Sequence, residues 1–567
     1  MLPKRWLIAE AAAPEYLHRY TSVHPVVAQI LYNRGYDTPE AAHRFLYAKA
    51  DLNSPFVLQG MTDAVGRIRM AIKKREPMIV YGDFDADGVT STALLVTTLR
   101  KLGANVHPYI PHRVDEGYGL NSPALQQIAK KGFKLVVTVD CGIRSVAEVE
   151  EGKAAGLDII VTDHHSLGPE VPDAFAVVNP QREENPLMLA GVGVAYMLSR
   201  ALVLAERNNG KRDKSADFDP DELLDLVAIG TVADLMPLNR VENRVLVRRG
   251  LEMLNYAKRP GIRALLDVIG TEPGSVTAST IGFGLGPRIN AAGRLDSAMI
   301  AYKLLMSPNM DEARKWADRL QELNTLRQEY TRTAQETAKG HLAEYDKTLP
   351  LIFASDTSFQ PGIVGLVAGR LAEEYFRPAV VVEQGDIESH ASCRSIPQFN
   401  ITTALDQCAD LLVRHGGHAL AAGFTVMNEN LPALRERLVT MAEDILSGQV
   451  LKPVLEIDGE LDIHRLEESL VHELATLEPC GNGNPVPVFM TRNVHVAECR
   501  TVGREGKHLK LKVSRASQPP LDAIGFGLGE WTNNMPDRID IAYQLEINEW
   551  NGRQSLQANL QDVRPAE

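Results

Sequence analysis

Cysteine is scarce in this sequence, with five residues among 567 and no C-x-x-C pair. An odd number of scattered cysteines argues against a disulfide framework, and the missing pairs argue against zinc modules. The sequence also lacks an apolar run of the ~20 residues needed to cross a bilayer. Glu10 interrupts the short apolar run Trp6–Ala9, so no signal-peptide core is predicted. We therefore expect a protein of the reducing cytoplasm with no membrane association.

Positive charge is also in deficit, because 60 Lys and Arg residues face 73 Asp and Glu residues and the formal net charge is −13. This balance argues against a protein that coats nucleic acid through a general positive field. Any nucleic-acid site must be local, or must carry its positive charge as bound metal. One stretch is clearly basic, in a C-terminal region of short predicted strands that fits a small all-β barrel. Its basic residues are Arg500, Arg504, Lys507, Lys510, Lys512 and Arg515.

Three alternate carboxylates follow the apolar run Met78–Tyr81, at Asp83, Asp85 and Asp87, before Gly88 and a predicted helix. At the end of a strand, side chains two residues apart share a face, so the three carboxylates converge. Convergent carboxylates repel one another unless a hard cation lies between them. The pattern therefore predicts a divalent metal site.

Two other interpretations of this stretch remain open. D-x-D-x-D-G also begins an EF-hand calcium loop, but that loop requires an acid at its twelfth position, which is Leu94 here. A solvated acidic turn is the structural alternative as long as the stretch is considered alone.

Two further predicted strands, at 135–139 and 158–162, also end in carboxylate or imidazole. The residues that follow them are Asp140 and the run Asp163-His164-His165. Ligands of open α/β sheets bind beyond the carboxyl ends of the strands, so the three loops are expected to meet in one crevice. Taken separately, Asp140 could cap a turn and the histidines could form an ordinary polar turn. Taken together, these residues favour a metal centre.

A further acid, Asp234, ends the apolar predicted helix Glu222–Asp234. A carboxylate is unfavourable at a helix C-terminus because of the helix dipole, so Asp234 is expected to have a partner. A metal would supply one. A simple polar residue at the end of the helix is the alternative.

The second half of the chain begins with a long predicted helix at 309–345 and continues with a second α/β unit. Two polar clusters in this unit, 391–395 and 414–424, are candidates for phosphate binding. Glycines before a helix expose N–H groups that hold anions, and Ser392 and Arg394 would add a hydroxyl and a guanidinium. A tight turn packed on a helix of small residues explains the glycines equally well.

Between the two halves, the glycine-rich stretch 282–294 carries Arg288 and Arg294. Its small residues would let the backbone approach a ligand, and both arginines can pair with phosphate or with acids. Loop glycines with ordinary salt bridges are the alternative.

Several ordered motifs together identify a family: D-F-D-A-D-G at 83–88, V-D-C-G at 139–142, D-H-H at 163–165, Asp234, and G-G-H at 416–418. With them the sequence resembles the DHH phosphoesterase superfamily, and more closely its bacterial RecJ exonucleases, over nearly the whole chain. The resemblance implies an α/β fold with a DHH-type parallel-sheet domain, a long connecting helix, a second α/β DHH-associated domain and a C-terminal all-β OB-fold barrel.

The expected domain bounds are an N-terminal helical cap of the catalytic lobe at 1–75, the DHH metal-binding catalytic domain at 76–305, the connecting helix at 306–349, the DHH-associated domain at 350–448, and the OB fold at 449–567.

The resemblance also implies a centre of two divalent cations, Mn²⁺ or Mg²⁺. The implied metal ligands are Asp83, Asp85, Asp87, Asp140, His164 and Asp234, with Asp140 as the bridge. Asp163 is expected to orient the ligands from behind, and His165 to face the scissile phosphate. The residues that the resemblance implies in binding the phosphate at the 5′ end are Arg288, Ser392 and Arg394. The other implied DNA-binding residues, beside the strand, are Asn290, Arg294, Gly416, Gly417 and His418.

The reaction implied by the resemblance is 5′→3′ removal of nucleotides from single-stranded DNA, in DNA recombination and repair. A single-strand-binding protein and a helicase are implied as partners, and we expect a monomer. One alternative is a DHH phosphodiesterase that acts on short oligonucleotides or cyclic dinucleotides, which the chain length and the additional β domain disfavour. Another is a non-catalytic DNA-binding scaffold, which the complete set of acids and histidines disfavours.

Overall fold

A segment of one strand and three short helices precedes the first domain. The computed structural model describes residues 2–20, 23–47, 52–184, 187–207, 218–343, 349–515, 520–550 and 552–566. The elements of the segment are β1 (Arg5–Ile8), α1 (Pro14–Leu17), α2 (Pro25–Asn33) and α3 (Pro39–Tyr47). Proline occupies the first position of all three helices, where its missing N–H costs no hydrogen bond.

The first α/β domain is a parallel sheet with helices on both faces. Its elements are α4 (Met61–Lys74), β2 (Met78–Tyr81), α5 (Ala86–Lys101), β3 (Val106–Tyr109), α6 (Ser122–Lys130), β4 (Leu135–Thr138), α7 (Val146–Ala154), β5 (Asp158–Thr162), β6 (Ala176–Val178), α8 (Gly191–Arg207), α9 (Leu224–Ala233), α10 (Val241–Tyr256), α11 (Pro260–Ile269), α12 (Gly286–Leu295) and α13 (Met299–Leu305). A π-helical turn, Thr280–Leu285, leads into α12.

The strand order of this sheet is β3-β2-β4-β5-β6, and every neighbouring pair is parallel. β2 and β4 are buried at each residue, which explains why their sequences are uninterrupted apolar runs. Because β2, β4 and β5 are neighbours, their carboxyl ends meet at one edge of the sheet. The acids after these three strands are brought together there.

One long helix, α14 (Met310–Ala343), joins the two α/β domains. Near its start, Ala313, Ala317 and Leu320 pack in the core of the first domain, whereas Ala334 and Ala338 pack in the core of the second. The predicted helix at 309–345 is therefore observed over the described residues Met310–Ala343. Residues 344–348 of the expected connecting segment lie outside the described residues.

The second α/β domain has a mixed sheet. Its elements are β7 (Ile352–Asp356), α15 (Val364–Tyr375), β8 (Ala379–Glu383), β9 (Glu388–Arg394), α16 (Ile401–Asp406), β10 (Leu412–His418), β11 (Ala421–Met427) and α17 (Leu431–Leu446). The strand order is β10-β11-β9-β8-β7, in which β7 and β8 are parallel and the other pairs antiparallel.

The expectation that the glycines at 416–417 precede a helix is wrong. They lie in β10, which forms an antiparallel hairpin with β11. Ala422, Phe424 and Val426 are buried and alternate along β11, which is the period-two pattern of a strand. The small residues masked this period, because alanine and glycine fit a helix or a strand.

The C-terminal domain is a closed β-barrel. Its elements are β12 (Val454–Ile457), β13 (Gly459–Glu460), α18 (Glu468–Leu474), β14 (Phe489–Val502), β15 (His508–Ser514), β16 (Leu521–Gly525), β17 (Arg538–Trp550) and β18 (Arg553–Pro565). The strand order is β13-β14-β15-β16-β18-β17, and an additional pairing of β14 with β17 closes the barrel. The predicted all-β barrel is confirmed.

The N-terminal segment packs on this barrel, which corrects the expectation that it caps the catalytic lobe. β1 pairs in parallel with β12, and buried residues from Ala12 to Leu46 share a core with the barrel. Of the expected cap, α4 does pack in the first domain. The sequence could not reveal this, because amphipathic helices need an apolar partner but do not encode which one.

Among the residues that the structure describes, no helix is both long and apolar enough to cross a bilayer.

Candidate metal centre

The first acids of the centre lie on the loop between β2 and α5. Asp83 follows the buried strand and is itself buried. Asp85 caps α5, because its Oδ1 accepts hydrogen bonds from the N–H groups of Asp87 at 2.9 Å and Gly88 at 3.0 Å. This cap starts the helix and places Asp87 in its first turn. The alternation seen in the sequence is thus a strand end followed by a helix cap.

A second helix holds Asp87. Its carboxylate oxygens accept hydrogen bonds from the backbone N–H groups of Gly191 at 2.6 Å and Val192 at 2.8 Å, at the start of α8. The positive end of the α8 dipole favours negative charge there. A Cβ on Gly191 would lie 2.5 Å from Asp140 Oδ1, so the site requires glycine. Gly191 could not be recognised as a site residue from the sequence, in which it is one small residue in an apolar run.

The carboxylates meet around one imidazole nitrogen. His164 Nε2 lies 3.1 Å from Asp140 Oδ1, 3.6 Å from Asp234 Oδ2 and 3.8 Å from Asp87 Oδ2. In a second group, Asp83, Asp85 and Asp140 each offer an oxygen within 4.8 Å of the others. Asp140 contacts both groups, which is the position required of a ligand that bridges two cations.

Burial raises the pKa of four carboxyl groups of the centre above the ordinary 3.8, and repulsion between neighbouring carboxylates raises it further; the four are Asp83, Asp87, Asp140 and Asp234. The pKa of Asp87 reaches about 7 and that of Asp234 about 8. Burial followed by repulsion also raises the pKa of Asp83 and Asp140. A cation between the carboxylates would relieve this cost of ionising them.

Three buried atoms of the centre have no hydrogen-bond partner among the described residues: Asp83 Oδ1, Asp140 Oδ1 and His164 Nε2. Buried polar atoms are rarely unpaired, so each calls for a partner. Burial and then the charge of His165 lower the pKa of His164 to about 4, so its ring is neutral and offers a lone pair. Converging oxygen and imidazole donors fit Mn²⁺ or Mg²⁺.

Asp163 fixes the two histidines from behind. It accepts hydrogen bonds from the backbone N–H groups of Ile143 (3.0 Å), His164 (2.7 Å) and His165 (3.1 Å). His165 Nδ1 lies 2.8 Å from its Oδ1. Burial alone raises the pKa of Asp163, but these hydrogen bonds outweigh it and the net pKa is lowered. Burial alone lowers the pKa of His165, but Asp163 raises it more, to about 9.

Across the cleft lies a group of arginines from both lobes. Burial lowers the pKa of Arg294 to about 9, and the positive charges of Arg113, Arg327 and Arg394 contribute to this lowering. The negative charge of Asp85 raises the pKa of Arg294. Arg294 therefore lies between the acidic centre and the second domain. Its Nη1 donates a hydrogen bond to the carbonyl of Gly362 at 3.1 Å.

Three arginines of this group, Arg113, Arg327 and Arg370, were not predicted from the sequence. Arg113 lies over the ring of Phe84, 3.9 Å from the ring centroid. Burial lowers the pKa of Arg327, and the charges of Arg370 and Arg288 lower it further. Within the described part of the chain, none of the arginines 113, 288, 294, 327, 370 and 394 forms a salt bridge. Arg327 gave no signal, because arginine is ordinary on a long helix.

Ser392 and Arg394 lie on β9 beside the start of α15. Arg394 Nη1 donates hydrogen bonds to Ser392 Oγ at 3.3 Å and to the carbonyl of Cys393 at 2.8 Å. A Cβ on Gly365, in the first turn of α15, would lie 3.0 Å from Ser392 Oγ. A hydroxyl, a guanidinium and a helix N-terminus thus converge, which is an arrangement suited to phosphate.

Arg288 and Asn290 lie on α12 and are both held by hydrogen bonds. Arg288 donates to Gln321 Oε1 and to the carbonyl of Gly284, each at 2.8 Å. Asn290 Oδ1 accepts a hydrogen bond from the N–H of Ala86 at 2.7 Å, so this residue braces the acidic loop.

His418 lies opposite the metal centre. With Tyr118, Asp163 and His165 it lines a cavity of about 410 Å³ between the two lobes. Gly417 has φ +147°, and a Cβ there would lie 2.8 Å from Ala422 Cβ, so this position requires glycine. The G-G-H motif thus brings its histidine to the cleft through a hairpin.

Three family models match the chain. They are the DHH family N-terminal domain over residues 77–231, the DHHA1 domain over 348–446 and the RecJ OB domain over 457–562. Together with the observed sheets and barrel, these matches confirm the predicted fold class.

Similarity to individual proteins extends over the whole chain. The single-stranded-DNA-specific exonuclease RecJ of Bacillus subtilis (strain 168) is 39% identical over 561 residues, which cover 98% of this chain and 69% of the relative. A crystal structure of RecJ from Thermus thermophilus in complex with Mn²⁺ has a TM-score of 0.85 at 31% identity and covers 99% of this chain and 80% of that one. The complex with Mg²⁺ has a TM-score of 0.79 at 30% identity, with coverage of 99% and 79%. The chain therefore belongs to the RecJ family of single-stranded-DNA-specific exonucleases.

Proposed function

We propose that this chain is a metal-dependent exonuclease that degrades single-stranded DNA in the 5′→3′ direction, in DNA recombination and repair. The observation that carries the proposal is that one cleft contains both unpaired metal-ligand atoms and a group of arginines without salt bridges among the described residues. The arginines can bind the phosphates of a strand whose scissile bond lies at the metal centre. The B. subtilis relative is named for activity on single-stranded DNA.

Two divalent cations, Mn²⁺ or Mg²⁺, would be held in two groups of ligands that share Asp140. The residues of the first group are Asp83, Asp85 and Asp140, and those of the second are Asp87, Asp140, His164 and Asp234. When bound, such a pair of cations supplies an activated water and stabilises the charge that develops on the leaving oxygen. The T. thermophilus structures are complexes with Mn²⁺ and Mg²⁺, respectively.

His165 is proposed to bind the scissile phosphate. The pKa of about 9 makes its ring an imidazolium at neutral pH, and Asp163 fixes the ring orientation through Nδ1. Tyr118 contributes a hydroxyl 3.1 Å from the same nitrogen. A cationic donor beside the cleft can stabilise negative charge on the phosphate oxygens in the transition state.

Arg288, Ser392 and Arg394 are proposed to hold the terminal 5′ phosphate, which sets the direction of degradation. Arg294, Arg327 and His418 would contact the strand between this phosphate and the metal centre. A terminal phosphate carries more charge than an internal one, so a site rich in arginine selects a strand end. The cleft between the lobes, whose cavity beside the metal centre is lined by residues of both, is proposed to admit one strand.

The barrel is proposed to bind the rest of the strand. Of its basic stretch, Lys507, Lys510 and Lys512 form salt bridges with carboxylates of the barrel itself. Arg500 and Arg504 have no salt bridge within the described residues and are exposed. Phosphates of single-stranded DNA would bind these two arginines.

A test of direction and substrate uses one DNA strand labelled at either end, its duplex, and a cyclic dinucleotide, each with Mn²⁺, Mg²⁺ or EDTA. We expect immediate release of the 5′ label, a ladder from the 3′ label, no action on a blunt duplex, and no cleavage in EDTA. Immediate release of the 3′ label would contradict the direction. Cleavage of the cyclic dinucleotide alone would favour the small-substrate phosphodiesterase, and binding without cleavage would favour a scaffold.

A monomer in the cytoplasm, working with a single-strand-binding protein and a helicase, remains our proposal for the cellular setting. Light scattering of the purified chain tests whether it is a monomer. Retention of this chain on an immobilised single-strand-binding protein tests whether the two proteins bind each other.

A further inference from the structure

The loop after Asp234 is turned by a residue in an unusual conformation. Asp234 ends α9, and Leu235 follows with φ +55°, in the left-handed region that leucine rarely adopts. The N–H of Leu235 donates to the carbonyl of Val232 at 3.2 Å, and that of Met236 to the carbonyl of Thr231 at 3.1 Å. These two bonds form the pattern that usually ends a helix with glycine. A leucine here therefore needs support from outside the helix.

That support comes from the C-terminal domain, through the turn 481–484. The side-chain amide of Asn482 donates a hydrogen bond to the carbonyl of Leu235, and the N–H of Leu238 donates to the carbonyl of Asn482 at 2.7 Å. A Cβ on Gly481 would lie 2.9 Å from Leu238 Cδ1, so the turn packs closely on this loop. The residue next to a proposed metal ligand is thus bonded to another domain.

The turn itself is rigidly held. Asn484 is fully buried, and its Nδ2 donates to the carbonyls of Leu477 at 2.9 Å and Pro479 at 2.8 Å. The buried guanidinium of Arg244, on α10 of the first domain, donates to the carbonyls of Leu477 at 3.0 Å and Glu478 at 2.8 Å. These bonds fix the turn relative to the catalytic domain. Through its hydrogen bond to the carbonyl of Leu235, the turn can in the same way hold Leu235 in place.

Asp234 depends on this support more than the other acids do. Asp83, Asp87 and Asp140 are 3%, 1% and 2% exposed, whereas the side chain of Asp234 is 26% exposed. Asp87 is bonded to the N-terminus of α8. Within the described residues, no hydrogen bond to the carboxylate of Asp234 is observed, and its contact with His164 Nε2 is 3.6 Å long, so its position depends on its backbone more than that of Asp87 does.

We propose that Asn482 is a positioning residue for the metal centre. By holding the carbonyl of Leu235, it keeps Asp234 at the distance from His164 at which both can bind one cation. The C-terminal domain would then contribute to cation affinity as well as to DNA binding. This inference rests on the proposed role of Asp234 as a metal ligand.

The test is Mn²⁺ binding to the full chain and to its Asn482→Ala variant, by calorimetry and by electron paramagnetic resonance. Asn482 is exposed, so the variant is expected to fold, with a melting temperature in EDTA lowered by no more than a few degrees for the one hydrogen bond lost. We expect the Mn²⁺ site that Asp234 helps to form to lose affinity about five- to tenfold, the effect of one lost hydrogen bond. The Mn²⁺ concentration for half-maximal cleavage should rise by the same factor, with the KM for DNA unchanged at saturating Mn²⁺.

Asn33→Ala is the matched control. Asn33 also donates a side-chain hydrogen bond to a backbone carbonyl of the C-terminal domain, that of Asp458 at 2.8 Å, but at the N-terminal segment. Its loss should leave Mn²⁺ binding unchanged.

Asp234→Ala tests the ligand role of Asp234 separately from the positioning role of Asn482. If Asp234→Ala weakens Mn²⁺ binding and Asn482→Ala does not, the positioning role is overturned and the ligand role stands. If Asp234→Ala leaves Mn²⁺ binding unchanged, the ligand assignment itself is overturned. A higher KM for DNA with unaltered Mn²⁺ affinity in Asn482→Ala would also overturn the proposal, because the turn would then serve DNA binding alone.

Discussion

The cleft has an acidic side, formed by carboxylates of the first lobe, and a basic side, formed by arginines of both lobes, and the two lobes build their parts of it on different kinds of sheet. In the first lobe, β2, β4 and β5 run in parallel, so the loops after all three strands lie at one edge. In the second, β9 runs antiparallel to both of its neighbours, and Ser392 and Arg394 lie two residues apart within the strand. A parallel sheet thus builds its site at an edge, and an antiparallel sheet builds it along a strand.

The difference extends to how each side is stabilised. The acidic side buries carboxylates whose pKa is raised, first by burial and then by repulsion between neighbouring carboxylates. The basic side contains arginines without salt bridges among the described residues, with pKa values lowered by burial. We infer that the first side needs cations before it can work, whereas the second awaits the phosphates of a substrate.

The largest expected loss of activity follows a substitution of Asp140, on the acidic side of the cleft. We expect Asp140→Asn to lower the rate on end-labelled single-stranded DNA by at least about 10³-fold, because the ligand shared by both groups loses its charge. Asparagine keeps the size that fits against Gly191 and tolerates the φ of +63°. Circular dichroism checks the fold, and near-normal activity would remove Asp140 from the centre.

A smaller effect is expected when the support behind the histidines is removed. Asp163→Asn should lower kcat about 10- to 100-fold, because His165 loses its charged partner and its pKa falls from about 9 towards the ordinary 6.5. The pH profile is the specific measurement: activity should decline at a lower pH than in the natural chain. Asp173→Asn, on an exposed side chain, is the control. An unchanged profile would refute the pairing of Asp163 with His165.

The Arg394→Ala variant tests whether the basic side of the cleft binds the 5′ phosphate. We expect about a tenfold higher KM for 5′-phosphorylated DNA, the value of one charge-assisted contact, with Mn²⁺ binding unaltered. The KM for a 5′-hydroxyl strand should not change. Arg437→Ala, whose guanidinium pairs with Asp410 on the surface, should alter neither substrate. Equal losses on both strands would show that Arg394 binds internal phosphates instead.

The smallest expected effect concerns stability without metal. The pKa of Asp87 is raised to about 7 in the folded chain and that of Asp234 to about 8, from an ordinary value of 3.8. At a pH between the ordinary and the raised value, each carboxyl group is ionised in the unfolded chain but still protonated in the folded chain. The unfolded state then binds fewer protons, and stability falls as the pH rises. His165 acts in the same direction, because its stabilising charge is complete below 6.5 and is lost through about pH 9.

His164 acts in the opposite direction below pH 6.5, because its pKa is lowered to about 4 in the folded chain. Thermal melts in EDTA should therefore fall by a few degrees between about pH 6.5 and pH 8. The stabilisation by Mn²⁺ should grow over the same range, because cations bind the ionised carboxylates. Melting temperatures in EDTA that rise with pH would mean that the carboxylates are not destabilised by burial.

Much of the acidic site could be predicted because local patterns carry it. Strand runs followed by Asp83, Asp140 and Asp163 imply convergence as soon as the sheet is taken to be parallel. The basic site was less accessible. Alanine and glycine in β11 hide the strand period, and Arg327 resembles any arginine on a helix.

The sequence by itself determined the class of fold, the acids and histidines of the centre, and the barrel at its end, because strand and helix periods and strand-end acids are local signals. Tertiary structure alone decided that the N-terminal helices pack on the barrel, that Gly191 closes on Asp140, and that Asn482 holds the residue after Asp234. Each of these contacts joins residues far apart in the chain. No local period encodes such a pair, since only the packed fold determines which surfaces meet.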